Sequence, residues 1–160
     1  MATRTGDLDP VIPTYLQREA GLTPSEVEQL INRHSGLAGV SGISADMQTL
    51  LQSEHPSAHR AVNMYCYRIQ KYLGAYLAVL GGADAILFGG GVGEHAWQVR
   101  EQALASLQWA GIVLDAQANR QTVSGPGRLS APDSATEIWT FPSDEAELLA
   151  REGLRVAAGE

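Results

Sequence analysis

Cysteine is almost absent from this chain of 160 residues. The one cysteine, Cys66, excludes an internal disulfide and is typical of a protein from a reducing compartment, so we expect a cytoplasmic location. Cys66 lies within an apolar pattern of helical spacing. This position favours a small buried hydrophobic side chain over a reactive nucleophile.

Lysine and long apolar runs are also scarce. Lys71 is the only lysine, the formal net charge is −7 and the isoelectric point is about 5.0. An acidic chain without a cluster of basic residues is poorly suited to nucleic acid, so no such partner is expected. Because no apolar stretch approaches the roughly 20 residues of a membrane span, no membrane partner is expected either.

Hydrophobic periodicity predicts alternating helices and strands in a single domain over residues 1–160. Apolar residues at steps of three and four predict a long helix from about Ser57 to Leu80, and the apolar run Ala85–Phe88 predicts a buried strand. Glycines interrupt residues 36–43, which predicts a loop or a short extended segment. Further helices are expected at about 23–34, 44–52, 95–109 and 143–156, and further strands at 111–114 and 137–141. This order predicts an α/β layered domain.

The stretch from Ile86 to Glu101 carries most of the functional information. Four glycines follow the predicted strand within five positions: Gly89, Gly90, Gly91 and Gly93. Glycine lets the backbone approach a ligand closely, and the free N–H groups of a following helix favour a phosphate. The pattern therefore predicts a nucleotide site. A tight turn without a ligand is the alternative, since it needs glycine equally and the spacing matches no standard phosphate-binding motif.

Three other places carry side chains with binding chemistry. Arg4 stands in a polar N-terminal segment, where its planar guanidinium can bind phosphate or carboxylate oxygens; a flexible terminus is the alternative. Glu145 lies in the acidic segment 144–147 at the start of the last predicted helix. Its carboxylate can hold magnesium or merely complement the helix dipole. Asp46 lies in the first turn of a short helix that Ser44 is predicted to cap, and a preference for helix starts is the alternative to a binding role.

Four segments together resemble blocks of the acetate kinase family of acyl-phosphate kinases, and they occur in the family's order. Met1–Pro10 resembles M-G-T-R-[ST]-G-D-x-D-P. Ser35–Leu50 resembles S-G-L-x-G-x-S-x-x-S-x-D-x-R, and Phe88–Glu101 resembles F-T-G-G-I-G-E-N-x-x-x-V-R-E. Ile138–Leu154 resembles the family's closing strand, Pro-[ST]-[ND]-Glu turn and helix. The resemblance covers nearly the whole chain and corresponds to roughly the C-terminal two-fifths of a family member.

The resemblance implies an actin-like ATPase fold, in which ribonuclease-H-like domains enclose a nucleotide cleft, with a mixed sheet and flanking helices. Residues 1–160 would be the C-terminal nucleotide-binding domain. The family's N-terminal domain, which supplies the acetate pocket and further phosphate contacts, would be absent. The implied reaction is reversible transfer of the γ-phosphoryl group of ATP to acetate with Mg²⁺, giving ADP and acetyl phosphate, in a homodimer.

The matched blocks also imply roles for individual residues. Arg4 would be the catalytic residue that steadies the transferring phosphoryl group, and Glu145 would be associated with magnesium. Asp46 and Gln48 match positions near the adenosine. The nucleotide loop would comprise Gly90, Gly91, Val92, Gly93, Glu94 and His95.

Three departures from the family pattern lie near the implied site. Ala2 replaces a glycine beside Arg4, Gln48 replaces an arginine two positions after Asp46, and His95 replaces an asparagine of the loop. Two alternatives stay open. One is a kinase for propionate or butyrate, because the acid pocket lies outside the chain. The other is a truncated, non-catalytic module for nucleotide binding or dimerisation.

Overall fold

The computed structural model describes residues 1–142 and 145–158. They form two compact units, Met1–Gly81 and Gly82–Glu160, where the sequence predicts a single domain. That single domain, with its role as the C-terminal part of a longer protein, stays a prediction. The α/β class with a mixed sheet and flanking helices is confirmed.

The first unit, all of whose residues are described, contains five helices and no strand. They are α1 (Val11–Glu19), α2 (Pro24–Arg33), α3 (Gly36–Ser41), α4 (Met47–Leu51) and α5 (Pro56–Leu80). α2 begins at the capping box visible in the sequence, because Thr23 Oγ1 accepts from the Glu26 amide at 3.3 Å and the Glu26 carboxylate accepts from the Thr23 amide at 2.7 Å.

The core of the first unit lies against the N-terminal half of α5, which contacts α3 and α4. The buried residues of α5 are Ala58, Ala61, Val62 and Cys66. Cys66 is 1% exposed, and burial raises the pKa of its thiol to about 11, which agrees with a buried apolar role. Although α5 has 25 residues, no helix in the described part of the chain is long and apolar enough to cross a membrane.

The second unit contains a mixed three-stranded sheet in the order β1-β3-β2. Its strands are β1 (Ala85–Phe88), β2 (Gly127–Arg128) and β3 (Glu137–Thr140). β1 and β3 are parallel, with Ala85 opposite Glu137, whereas β2 is antiparallel to β3. The helical segments are α6 (Gly90–His95), α7 (Trp97–Leu104), a 3-10 turn (Gln108–Ala110), α8 (Ala116–Gln121) and α9 (Glu145–Ala158).

Three predicted elements of the chain are wrong. Residues 36–43 form helix α3 rather than a loop, because carbonyls of Met1 and Ala2 accept from its first amides at 3.0 Å. The helix expected at 95–109 begins earlier, inside the glycine turn, and is broken at Ala96. The strand expected at 111–114 is reduced to one antiparallel bridge between Leu114 and Ser130.

A buried arginine on α7 joins the end of α6 to the end of α8. Arg100 is 0% exposed, and all five of its N–H donors meet oxygen atoms. Nε donates to Asn119 Oδ1 at 2.7 Å, and Nη1 donates to the carbonyls of Gly93 and Glu94 at 2.9 and 2.7 Å. Nη2 donates to the carbonyls of Asn119 and Thr122 at 2.9 and 2.7 Å. The cation thus satisfies backbone carbonyls that helix ends leave without partners.

The charge of Arg100 is balanced by dipoles. Among the described residues no carboxylate forms an ion pair with it, and burial lowers the pKa of the guanidinium. The carbonyl ends of α6 and α8 carry partial negative charge, which compensates the buried cation. α6 contains the glycine turn, so this one side chain fixes the position of that turn.

We predict that Arg100→Met destabilises the second unit. The substitution keeps the aliphatic stem but leaves four carbonyls and one amide oxygen without donors, so we expect the free energy of unfolding to fall by about 3 kcal/mol or more. Urea denaturation followed by circular dichroism measures the change. Arg120→Met is the matched control: Arg120 is 58% exposed and pairs with Glu101, so its loss should cost less than about 1 kcal/mol. Equal effects of the two substitutions would contradict the role assigned to Arg100.

Candidate functional site

The segment that carries Arg4 is fixed by its backbone, contrary to the flexible-terminus alternative. It lies along the end of α2 and the start of α3. The hydrogen bonds run from Thr5 N to Ile31 O (3.0 Å), from Ser35 N to Thr3 O (2.9 Å) and from Leu37 N to Met1 O (3.0 Å). Gly36 permits this approach, since its φ is +61° and a Cβ there would lie 2.8 Å from the Arg4 carbonyl oxygen.

The side chain of Arg4 is exposed, and within the described residues its guanidinium has no hydrogen-bond or ion-pair partner. The nearby Asp7 does not neutralise it, because Asp7 is already engaged. Tyr72 Oη donates to Asp7 Oδ1 at 2.6 Å, and Arg68 forms an ion pair with the other carboxylate oxygen. The Tyr72 hydrogen bond and the Arg68 charge lower the pKa of Asp7. A backbone-anchored cation with all its donors free is suited to an anionic ligand.

Asp46 is the N-cap of α4. Its Oδ2 accepts from the amide and the hydroxyl of Thr49, each at 2.8 Å, and these bonds lower the pKa of the carboxyl. The helix-start explanation is therefore confirmed for Asp46, and its implied contact with adenosine stays a prediction. Gln48 lies exposed in the first turn of the same helix, where the family's arginine would place a charge.

The glycine turn contains glycines that the fold requires and one that it does not. Gly90 has φ +70°, a left-handed conformation that favours glycine. At Gly93 a Cβ would lie 3.2 Å from the backbone of Phe88, so a side chain there would require β1 or the helix to shift by a few tenths of an ångström. Gly91 has neither a positive φ nor any heavy atom within 4 Å of an added Cβ. The fold of this chain therefore gives no reason for a glycine at position 91.

Glu94 and His95 tie α6 to the segment 122–127. Glu94 Oε1 accepts from the Gly125 amide at 2.8 Å. His95 Nδ1 lies 2.7 Å from the Val123 carbonyl oxygen. A carbonyl only accepts, so Nδ1 carries the proton and Nε2 of the neutral ring is left as an acceptor. Both side chains thus have structural contacts, and the His95 edge that faces away from Val123 can still accept a hydrogen bond.

Glu145 begins α9, but its side chain lies outside the described residues, so its implied magnesium role is untested. No group of three or more His, Cys, Asp or Glu side chains in the described part of the chain is arranged to hold a metal ion. Magnesium is commonly held by one or two carboxylates together with substrate phosphates and water. A single glutamate fits that mode. The described residues provide no magnesium site built from protein side chains alone.

A cavity of about 450 Å³ opens in the first unit between the N-terminal segment, α3 and α5. Its lining is mostly apolar, with the Asp7–Arg68 ion pair on one side. None of the predicted site residues lines it. The predicted residues are instead distributed between the units: Arg4, Asp46 and Gln48 belong to the first, and the glycine turn and Glu145 belong to the second.

Sequence reasoning missed the residues that hold the glycine turn in place. α6 is contacted by Arg100, Val123 and Gly125. None of the three was a candidate site residue. Two signals were available for Arg100, which is the arginine at the end of the family block matched by Phe88–Glu101. It lies between Val99 and the apolar pair Ala103 and Leu104, so a charged residue at that point of a predicted helix faces the core and needs internal partners.

Comparison with known proteins places the chain in a family. It matches the model of the Acetokinase family over residues 1–151. It is 45% identical to the acetate kinase of Solibacter usitatus (strain Ellin6076) over 164 residues, which cover 100% of the chain and 40% of that protein. It is 47% identical to the acetate kinase of Rhodopseudomonas palustris (strain TIE-1) over 159 residues, which cover 99% of the chain and 40% of that protein.

Solved structures give the same result. The crystal structure of Porphyromonas gingivalis acetate kinase matches with a TM-score of 0.90 and 36% identity, over 98% of this chain and 40% of that one. A propionate kinase from Francisella tularensis subsp. tularensis SCHU S4 matches with a TM-score of 0.86 and 28% identity, over 95% and 39%. These neighbours have the actin-like ATPase fold predicted from the sequence. The chain spans about two-fifths of the length of these relatives, and it belongs to the Acetokinase family.

Proposed function

We propose that this chain is the nucleotide-binding part of an enzyme that transfers the γ-phosphoryl group of ATP to acetate, reversibly, giving ADP and acetyl phosphate. The observation that carries the proposal is the glycine turn. Arg100 donates to the carbonyls of Gly93 and Glu94 at its end, and a Cβ added at Gly91 would meet no protein atom within 4 Å. Acetate is proposed as the acid substrate because the relatives at 45% and 47% identity are acetate kinases.

Phosphoryl transfer needs in-line positioning and stabilisation of charge more than covalent chemistry from the protein. An acetate oxygen would form a bond to the γ-phosphorus as the bond to the bridging oxygen breaks, and the electron pair would leave with ADP. Arg4 would bind the equatorial oxygens through two parallel N–H donors as charge redistributes over them. Its fixed backbone and free guanidinium suit this role, because little has to be reorganised during the reaction.

The remaining predicted residues would bind the nucleotide. Gly90, Gly91, Val92 and Gly93 would let the backbone lie against the phosphates, and Glu94 and His95 would border them. Asp46 and Gln48 would contact the adenosine. Glu145 would hold Mg²⁺, which neutralises phosphate charge when bound. Binding energy from the nucleotide then positions the phosphoryl group.

We further propose that the protein is cytoplasmic and self-associates through α5. Away from its buried residues, α5 exposes apolar and aromatic side chains along its length: Met64, Tyr67, Tyr72, Tyr76, Val79 and Leu80. Tyr72 and Tyr76 stack with ring centroids 6.2 Å apart. Exposed aromatic surface of this kind is enriched at the cores of protein interfaces.

A kinase for propionate or butyrate is the second candidate. The likeness to the propionate kinase of Francisella tularensis favours it, at lower identity than the acetate kinases. A non-catalytic nucleotide-binding module is the third. Activity of a complete enzyme built on this chain distinguishes the two kinases from the non-catalytic module.

We predict that the chain alone forms no measurable acetyl phosphate, and that a chimera does. In the chimera the chain replaces the matching two-fifths of the Rhodopseudomonas palustris acetate kinase. The chain alone lacks the acid pocket, so several transition-state contacts are missing, and each loss of about 1.4 kcal/mol costs tenfold in rate. Acetate is the substrate, because the acid pocket of the chimera comes from the acetate kinase part. A folded chimera that binds ATP but does not phosphorylate acetate would favour the non-catalytic module.

In the chimera, Arg4→Lys is predicted to lower kcat by about 100-fold with little change in the KM for ATP, because lysine keeps the charge but loses the planar fork needed in the transition state. Steady-state kinetics give both constants. Arg33→Lys, an exposed arginine at the end of α2, is the matched control and should leave both unchanged. Near-normal kcat for Arg4→Lys would show that Arg4 does not stabilise the transition state.

Gly91→Val is predicted to weaken ATP binding without destabilising the fold, since an added Cβ meets no protein atom within 4 Å and the side chain would enter the space assigned to the nucleotide. Calorimetric titration of the chimera with ATP should show an affinity at least about tenfold lower, a loss of about 1.4 kcal/mol. Gly74→Val on α5 is the control, because an added Cβ there also meets nothing within 4 Å. If Gly91→Val is folded and its affinity for ATP is unchanged, the nucleotide does not bind beside Gly91.

A further inference from the structure

Two side chains of α5 hold the carboxylate of Asp7, which is the acidic residue nearest to Arg4 in the sequence. Tyr72 Oη donates to Asp7 Oδ1 at 2.6 Å, and Arg68 forms an ion pair with Oδ2. Arg68 and Tyr72 are four residues apart on one helix, so they lie on the same face. The Arg68 guanidinium also lies 5.7 Å from the centre of the Tyr72 ring. Both carboxylate oxygens are therefore engaged from a single element.

Gly6 turns the chain between Arg4 and Asp7. Its φ is +71°, a left-handed conformation that favours glycine. The space around Gly6 is also small, since an added Cβ would lie 3.1 Å from Met1 Cε and 3.6 Å from Arg68 Nη2. A larger residue at this position would be strained, so the sequence itself favours the contact between Asp7 and α5.

Without these partners, Asp7 would compete for the charge of Arg4. Three residues of chain span at most roughly 10 Å, a distance that extended arginine and aspartate side chains can bridge. Aspartate is ionised at neutral pH, and a carboxylate matches the planar fork of arginine as a phosphate does. The other acidic residue of the segment, Asp9, accepts from the Val11 amide at 2.9 Å. Both carboxylates of the segment thus have a partner other than Arg4.

We propose that Arg68 and Tyr72 are positioning residues for phosphoryl transfer: by holding Asp7 on α5, they keep the Arg4 guanidinium free for the transferring phosphoryl group. The inference rests on the proposed function, which assigns that group to Arg4. The alternative is a contact that merely stabilises the fold. The side chain of Arg68 is 22% exposed but that of Asp7 is 64% exposed, and an ion pair with one partner so open to water contributes little to stability.

The first test measures Arg4 in the full chain without any reaction. Arg68→Met/Tyr72→Phe, the release variant, removes both partners of Asp7 but keeps most of each side chain. NMR of ¹⁵N-labelled arginine follows the Nε–H group of Arg4, which is assigned as the signal lost in Arg4→Lys. A hydrogen bond to a carboxylate slows exchange of this proton with water. We expect fast exchange in the unchanged chain and exchange at least about fivefold slower in the release variant.

The second test is steady-state kinetics of the chimera. The release variant is predicted to lower kcat about tenfold with little change in the KM for ATP, because a neutralised Arg4 fails mainly in the transition state. Adding Asp7→Asn removes the competing charge and should restore kcat to within about threefold of the unsubstituted chimera. A merely structural role predicts no recovery, since asparagine cannot restore contacts with partners that are absent. Arg60→Met/Tyr67→Phe is the matched control in both tests, because both side chains are exposed on the same helix.

Two results would overturn the inference. One is fast exchange at Arg4 in the release variant, and the other is a loss of kcat that Asp7→Asn does not restore. Failure of the proposed function looks different: Arg4→Lys would then have near-normal kcat, while the release variant would still slow the exchange at Arg4. If the release variant does not fold, Arg68→Met and Tyr72→Phe are measured singly, and each is expected to change the exchange and kcat in the same direction.

Discussion

The second unit depends on a buried positive charge that is satisfied without a carboxylate. Arg100 places a full guanidinium in the interior and distributes its five donors over Asn119 and the last turns of two helices. Burying an ionised group is costly unless every donor finds an acceptor. Because the acceptors are backbone carbonyls of α6 and α8, satisfying the arginine also fixes both helices. Two carbonyls of the glycine-rich helix α6, those of Gly93 and Glu94, are thereby bonded within the protein itself.

A comparison of two arginines shows how structure and function can be separated. Arg100 is fully buried and fully bonded, so its presence is explained by the fold. Arg4 has a fixed backbone and an exposed guanidinium without a partner in the described part of the chain, so the fold does not explain its charge. The same contrast separates Gly93, which packs on Phe88, from Gly91, which packs on nothing. Residues that folding leaves unexplained are the better candidates for a ligand, and both of these lie in segments that resemble the family's blocks.

Local signals determined much of the fold in advance. The bounds of β1 agree with the prediction to the residue, α5 begins one residue before the predicted start, and α2 begins at its capping box. These elements have strong periodicity, a glycine stop or a cap. The errors lie where distant parts of the chain decide. α3 is stabilised by carbonyls of Met1 and Ala2, and the hydrogen bonds of Arg100 accompany a helix that starts inside the glycine turn. No local pattern contains that information.

For the site, family blocks indicated the nucleotide loop, but neither periodicity nor composition could indicate that Glu94 and His95 bind the segment 122–127.

The central claim is that the turn held by Arg100 binds the phosphates of a nucleotide. Hydrogen exchange of the chimera, with and without ATP and Mg²⁺, tests it most directly, because backbone amides that donate to phosphate oxygens exchange more slowly. The account predicts slower exchange at Gly90, Gly91, Val92 and Gly93 on addition of saturating ATP, with no comparable change along α5. Unchanged exchange across these four amides at saturating ATP would contradict it.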